Sequence, residues 1–184
     1  MINNHKAFTL LEVVVVVFLI GIIASIFIPR LFKRSPTAEW ASITEDLNSL
    51  ALFARQEALA NHFVYRLTFI ANPKGTDSVR VEQEKDDPEK PGHKKYDLVS
   101  SYYLPTTYNF NTAIRLKAVY VGKTNMLDEQ QGVAHCYIIP DGLVQDVIVH
   151  LVRRLNGVET SGSFIMNPFF GRFEFNEGLI RPAR

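Results

Sequence analysis

The chain has 184 residues, of which 47% are hydrophobic, and its formal net charge is +1 at pH 7. A charge this close to neutral argues against a generally basic nucleic-acid-binding protein. The single cysteine, Cys136, excludes an intrachain disulfide. Because Cys136 lies in an apolar run, we expect a buried and unreactive thiol.

An apolar run at residues 8–28 dominates the N-terminus, and it has the length that a helix needs to cross the hydrocarbon core of a bilayer. Glu12 is the one charged residue within it. Since a carboxylate inside a membrane segment is costly, Glu12 is a candidate functional residue. Gly21 and Pro29 are the positions at which this helix is expected to kink or to end.

A second helix is predicted from Pro36 to about residue 61. Ser35 followed by Pro36 is a helix start signal, with a capping residue before a proline at the first helical position. The apolar residues that follow recur three or four apart and form one stripe, which we expect to pack on the chain's own domain. The stripe consists of Trp40, Ile43, Leu47, Leu50, Ala54 and Ala58.

Beyond residue 61 the apolar pattern changes to the alternation typical of strands. Alternating or short apolar segments occur at residues 65–69, 98–104, 114–118, 134–139, 144–152, 163–166 and 173–176. Turn residues separate many of them, including the pair Asn156–Gly157. Roughly six to eight short strands without an intervening helix predict an antiparallel sheet or a small sandwich. The charged segment 84–95 has no apolar residue to bury, and is expected to be a mobile surface loop.

The start of the apolar run resembles a known processing signal. Residues 7–12, Ala-Phe-Thr-Leu-Leu-Glu, are similar to the class III signal of type IV prepilins and type II secretion pseudopilins. In that family a short basic leader is cut just before a Phe, the new amine is methylated, and a Glu follows one helical turn later. The resemblance implies cleavage between Ala7 and Phe8, N-methylation of Phe8, and an assembly role for Glu12. The family usually has Gly before the cut, where this chain has Ala7.

The rest of the chain resembles one branch of this superfamily, the H-type minor pseudopilins and the FimT-like minor pilins. The similar segments are residues 54–58 with 63–67, residues 138–142 with 147–151, and residues 171–175.

The resemblance implies an α+β, pilin-like fold, with a long N-terminal helix packed on a C-terminal antiparallel head. The implied organisation is a leader peptide at 1–7, a transmembrane and filament-core helix at 8–29, an amphipathic half of the helix at 30–61, and a β-rich head at 62–184.

The implied function is that of a minor subunit of a type II secretion pseudopilus, which initiates or caps the filament near its tip. Implied partners are other minor and major pseudopilins, the prepilin peptidase, the inner-membrane secretion platform and the lipid bilayer. The implied location is a single pass through the bacterial inner membrane with the head in the periplasm. Two alternatives stay open: a minor type IV pilin for adhesion or DNA uptake, and an enzyme or solute-binding domain on a signal anchor.

Candidate chemistry outside these motifs is sparse. The five histidines make no HExxH or CxxC-type spacing, so we expect no metal, no cofactor and no catalytic activity. The region around Gly171 and Arg172 resembles the corresponding region of pilins that take up DNA. Those pilins carry a second Arg where this chain has Glu174, and a carboxylate there would repel phosphate. Arg181 and Arg184 are the remaining basic candidates, and no nucleic-acid partner is expected.

Overall fold

The computed structural model describes residues 10–31, 36–180 and 182. The chain divides into two compact units, Met1–Glu39 and Trp40–Arg184. The first unit contains helix α1, Leu10–Leu31. This helix continues through both Gly21 and Pro29 to Leu31, so neither residue ends it earlier, and a kink at either one stays a prediction. Helix α2 spans Pro36–Asn61, and the division between the two units falls within it.

The second unit is built from α2 and a series of strands. Within the described residues the strands are β1 (Tyr65–Ile70), β2 (Ser78–Asp86), β3 (Lys94–Leu98), β4 (Thr107–Asn109), β5 (Ile114–Val121), β6 (Thr124–Asn125), β7 (Val133–Ile138), β8 (Val147–Leu155), β9 (Val158–Asn167) and β10 (Arg172–Glu177). A one-turn helix, α3 (Met126–Glu129), follows β6.

The strands form two antiparallel sheets. In sheet A the order is β3-β2-β1-β7, and β4 also pairs with β2. In sheet B the order is β10-β9-β8-β5-β6. The α+β fold class is thus confirmed, with an N-terminal helix, a second helix and two sheets. The domain boundaries at 7, 29 and 61 stay predictions.

The stripe on α2 faces the core, as its spacing predicts. Its six residues are at most 4% exposed, and they join side chains from both sheets in one hydrophobic core. Trp40 stacks on Phe175 of β10 with the ring centroids 5.8 Å apart, and meets Phe164 of β9 edge-on at 6.1 Å. The helix therefore supplies one wall of the core of this unit.

Three details differ from the sequence prediction. Residues 98–104 are not a strand: only Leu98 belongs to one, at the end of β3, and Tyr102 and Tyr103 are fully exposed. Residues 84–95 are not simply a loop, because 84–86 and 94–95 pair in the β2–β3 hairpin, with Lys85 opposite Lys95. The strands are also interrupted by α3, whose capping residue Asn125 accepts a hydrogen bond from the Leu127 N–H.

The predicted turn at Asn156–Gly157 is confirmed as the tip of the β8–β9 hairpin, where Leu155 pairs with Val158. Both turn residues have positive φ, 50° at Asn156 and 79° at Gly157. A two-residue turn of this kind matches the right-handed twist of the strands, and Asn-Gly adopts it with little strain. This local signal could therefore be read from sequence.

A buried carboxylate ties the two sheets together. Asp77, just before β2, accepts hydrogen bonds from the Leu116 N–H at 2.7 Å and the Asn72 N–H at 2.8 Å, and forms an ion pair with Arg115 at 3.0 Å. The register of β5 against β8 shifts between Leu116 and Ala118. A bulge of this kind leaves a backbone group unpaired in the ladder, and here Asp77 binds the Leu116 N–H.

Candidate assembly site

Helix α1 carries an apolar surface that no described residue of its own unit covers. From Leu10 to Ile23 every large apolar side chain is exposed, including Leu10, Leu11 and Phe18. An apolar surface this continuous marks a site of contact with lipid or with other proteins. Within the part of the chain that the structure describes, no helix is both long and apolar enough to cross a membrane.

The residues predicted to matter in processing and assembly lie at or before the start of α1. Glu12 is in the first turn of the helix, and its side chain is exposed. Ala7 and Phe8, on either side of the predicted cut, lie outside the described residues. Gly21 leaves open space beside the helix, since a Cβ there would meet no atom within 4 Å.

In the head, Arg55 of α2 joins three segments that are far apart in sequence. Its Nε donates to the Gly142 carbonyl at 2.8 Å, and its Nη2 donates to the Phe169 carbonyl at 3.3 Å. Gly142 belongs to the turn after β7, and Phe169 to the turn between β9 and β10. One guanidinium thus holds both turns against the helix.

Gly171 shows how closely these segments pack. Its φ is +63°, and a Cβ there would lie 2.9 Å from Cδ of Arg55 and 3.3 Å from Cγ2 of Val144. A larger residue at this position would have to adopt a left-handed backbone and displace the Arg55 side chain. Glycine is therefore required by the contact as well as by the turn.

Asn48 makes a second link between α2 and sheet B. Its Oδ1 accepts from the Phe173 N–H at 2.6 Å, and its Nδ2 donates to the Phe173 carbonyl at 3.2 Å. The side-chain amide therefore pairs with β10 as a neighbouring strand would. Since an open sheet edge invites pairing with another chain, Asn48 closes part of the β10 edge. The sequence analysis missed this residue, because a lone Asn in a helix gives no signal of a partner 125 residues away.

The outer face of sheet A holds a buried polar cluster that the sequence analysis also missed. Glu82 is 2% exposed. Its two oxygens accept from Arg66 at 2.7 Å, Thr68 Oγ1 at 2.7 Å and Arg80 at 2.6 Å. Thr68 also lies 3.1 Å from Nδ1 of His135. Because Thr68 donates to Glu82, its oxygen accepts from His135, which places the imidazole proton on Nδ1.

The environment shifts the pKa of two members of this cluster. Burial opposes ionisation of Glu82, but hydrogen bonds from Thr68 and Arg66 and the charges of Arg66 and Arg80 outweigh it, so the pKa of Glu82 is lowered. Burial, and then the charge of Arg66, lower the pKa of His135. His135 is therefore neutral at pH 7, and the cluster keeps one carboxylate between two guanidinium groups.

The candidate metal and thiol residues have ordinary structural environments. His135 and Cys136 point to opposite faces of β7, as their adjacency predicts, and Cys136 is fully buried. Burial, and then the charge of Asp146, raise the pKa of the Cys136 thiol, which keeps it protonated. Among the described residues no group of three or more His, Cys, Asp or Glu side chains is placed to hold a metal ion.

The residues considered for DNA contact do not form a positive surface in the described part of the head. Arg172 and Glu174 are two apart on the edge strand β10, so they share a face, and both are exposed. The two residues therefore place opposite charges on the same face. Arg181 and Arg184 lie outside the described residues.

Comparison with known proteins gives two findings that bear on this geometry. Residues 2–28 match the family described as the prokaryotic N-terminal methylation motif. The structure is similar to that of the minor pseudopilin EpsH from the type 2 secretion system of Vibrio cholerae, with a TM-score of 0.50 over 74% of this chain and 95% of that chain, at 8% identity. The fold is pilin-like.

A second structure of EpsH, a crystal structure, aligns with 77% of this chain and 98% of its own, at a TM-score of 0.46 and 8% identity. No curated protein matches the chain in sequence. The methylation motif ends at residue 28, before the second compact unit, which begins at Trp40. The predicted N-terminal signal and the predicted fold are thus both confirmed, whereas the H-type branch stays a prediction.

Proposed function

We propose that this chain is a minor subunit of a type II secretion pseudopilus, anchored in the inner membrane with its head in the periplasm. The observation that carries the proposal is the N-terminal methylation motif on an exposed apolar helix, followed by a pilin-like head. A helix with this surface needs lipid before assembly and neighbouring helices after it. A pseudopilin moves its helix from the lipid bilayer into contact with neighbouring helices when it joins the filament. This step requires no catalytic site.

Processing begins with a prepilin peptidase, which cuts between Ala7 and Phe8 and leaves an amine on Phe8 that is then methylated. A helix that extends back to Phe8 would place Glu12 one turn beyond this amine and on the same side. In the filament, Glu12 of an incoming subunit meets the Phe8 amine of a neighbour. A wrong register would leave both charges unpaired in an apolar core, at a cost of roughly 3–5 kcal/mol. The pair thus selects the register of packing more than it adds net stability.

The partners that follow are other minor and major pseudopilins, the peptidase, the inner-membrane secretion platform and the bilayer. The position near the filament tip, where minor subunits initiate or cap assembly, rests on the resemblance to the H-type branch. Helix α1 packs with other helices in the filament core, and the head contacts neighbouring heads. Neither role uses a cofactor.

The experiment is mass spectrometry of the membrane-extracted protein, together with co-purification of the other subunits encoded beside it. We expect a mass that begins at N-methylated Phe8, and stable association with chains carrying the same N-terminal motif. Ala7→Leu enlarges the side chain before the cut and serves as the uncut control. An intact Met1 in the wild-type chain, or a first residue other than Phe8, would refute the processing step.

The minor type IV pilin alternative makes a different prediction. A DNA-uptake pilin would bind double-stranded DNA with an affinity that falls steeply with salt. The exposed carboxylate of Glu174, on the same face of β10 as Arg172, argues against this. Tight, salt-sensitive DNA binding by the intact chain would favour the pilin alternative over secretion.

A further inference from the structure

We propose that the flank of α2 around Arg55 is a docking surface for the head of a neighbouring subunit in the assembled filament. The surface, here the Arg55 patch, consists of five exposed apolar side chains: Leu52, Leu59, Leu143, Phe169 and Phe170. The inference rests on the proposed function, and it names the surface and the kind of partner that the proposed function leaves open.

The patch is continuous because α2 and two turns meet there. A second stripe, separate from the buried one, runs along α2. It consists of residues spaced four, three and four apart: Asn48, Leu52, Arg55 and Leu59. Arg55 binds the turns that carry Leu143 and Phe169. A Cβ at Gly142 would lie 3.2 Å from Leu59, which places that turn directly against the helix.

The two phenylalanines are held in their exposed positions by the turn itself. Phe169 and Phe170 are 73% and 70% exposed. Their N–H groups donate to Asn167 Oδ1 at 3.1 and 3.2 Å, and the Gly171 N–H donates to the Asn167 carbonyl at 2.8 Å. Arg55 binds the Phe169 carbonyl from the other side. A turn tied at both ends fixes the backbone from which the two aromatic rings project, which lowers the entropy cost of binding.

The size of the patch decides what kind of partner fits. A buried aromatic side chain contributes about 150–250 Å², so the five partly exposed side chains offer roughly 500 Å². A stable pair of free proteins needs about 800 Å² from each partner. The patch by itself supplies less than this area, so a free protein would need further contacts beyond it. A head tethered nearby by its own N-terminal helix is present at high effective concentration and needs less contact area. The occupant is accordingly a neighbouring filament subunit.

The chain offers a clean way to test this. Phe169→Cys in the full-length protein places a thiol in the patch, and Cys136, the only other cysteine, is fully buried with a raised pKa. Tyr102→Cys is the matched control, since Tyr102 is a fully exposed aromatic residue on the loop between β3 and β4. The probe is a maleimide–benzophenone crosslinker, activated in membranes of cells that make the complete set of subunits.

We expect Phe169→Cys to crosslink to another chain that carries the N-terminal methylation motif, about tenfold more than Tyr102→Cys does. Combining it with Glu12→Ala should reduce the adduct to the control level, because a subunit that is not assembled has no neighbouring head. In detergent, the isolated chain should give no adduct.

Three results would overturn the inference. Absence of the adduct while the chain co-purifies normally with other subunits would leave the proposed function intact and remove this surface from it. An adduct between two copies of the isolated chain would show a free dimer instead. An adduct only with lipid would make the patch a membrane contact. Failure to co-purify with any such subunit would refute the proposed function, and this inference with it.

Discussion

The replacement Glu82→Gln tests whether the polar cluster on sheet A stabilises the head. Glu82 is nearly inaccessible, and its oxygens accept three hydrogen bonds, one each from Arg66, Thr68 and Arg80; Nη2 of Arg66 also lies 2.7 Å from Oε2 as an ion pair. Glutamine keeps the shape but presents an NH₂ group where the carboxylate has an acceptor. That group faces donors, so at least one of the arginines loses its partner.

The magnitude follows from burial. A hydrogen bond to a charged group contributes about 1.5–3 kcal/mol, and leaving a buried charge unpaired costs more. The Arg66 side chain is 16% exposed and stays largely in the protein, whereas Arg80 is 42% exposed, so water compensates most of its loss. We therefore expect the free energy of unfolding to fall by about 2–4 kcal/mol. The corresponding decrease in Tm is roughly 5–15 °C.

The pH dependence gives an independent check. Because the folded-state pKa of Glu82 is lowered, the unfolded chain takes up a proton at a higher pH than the folded chain does. The stability that Glu82 provides is fully present above the ordinary glutamate pKa of about 4.3 and is lost as the pH falls through the lowered value. Glutamine does not titrate, so the difference in the free energy of unfolding between wild type and variant should become smaller below about pH 4.

The assay uses a chain that begins at Pro36 and so contains the whole second unit. Its unfolding in urea is monitored by circular dichroism. This chain should show mixed helix and strand, because it has α2 and both sheets. Glu84→Gln is the control, since Glu84 is on the same strand and its hydrogen bond from Tyr96 is long, at 3.3 Å. Equal, small effects of both replacements, or a wild-type–variant difference that stays constant down to pH 3, would refute the reasoning.

Three further predictions concern the core, the edge of β10 and the N-terminal helix. Leu47→Ala should lower the free energy of unfolding by roughly 2–5 kcal/mol, whereas Leu52→Ala, on the exposed side of the same helix, should change it by less than about 0.5 kcal/mol; urea unfolding compares them, and equal costs would contradict the packing. Asn48→Ala should cost about 1–3 kcal/mol and lower the hydrogen-exchange protection of the Phe173 amide, because that N–H loses its partner; unchanged protection would rule out the pairing. Glu12→Gln should leave cleavage intact and prevent assembly, measured by N-terminal mass and co-purification; normal assembly would make the register argument wrong.

The elements with a local signal were predictable from the sequence. The start of α2 at Pro36 and its buried stripe follow from spacing within a single helix, and the Asn156–Gly157 turn follows from the φ values that these two residues accept. The motif around Glu12 is likewise contiguous. Each of these features depends on residues within one or two turns of each other, which is the range over which sequence periodicity carries information.

Strand β2 shows where local signals fail. Its sequence from Ser78 to Asp86 is rich in charge, which lowers its strand propensity, and only Val79 and Val81 mark its inner face. The strand is stable because the register of β2 against β1 places Glu82 opposite Arg66, whose guanidinium forms an ion pair with the Glu82 carboxylate. Residues 98–104 show the converse. Leu98 still pairs with Glu82, but β4 pairs with the remainder of that edge of β2, from Arg80 to Ser78, so the rest of the apolar segment has no strand to join.

The contacts that shape the candidate assembly surface were decided only by the tertiary structure. Arg55 reaches carbonyl groups 87 and 114 residues away, and Asn48 pairs with a strand 125 residues away. The sequence by itself determined that the chain has an apolar N-terminal helix, a processing signal and a β-rich head. Which side chains of the helix meet which turns depends on sheet order and register, because a shift of one residue along a strand turns its side chains to the opposite face.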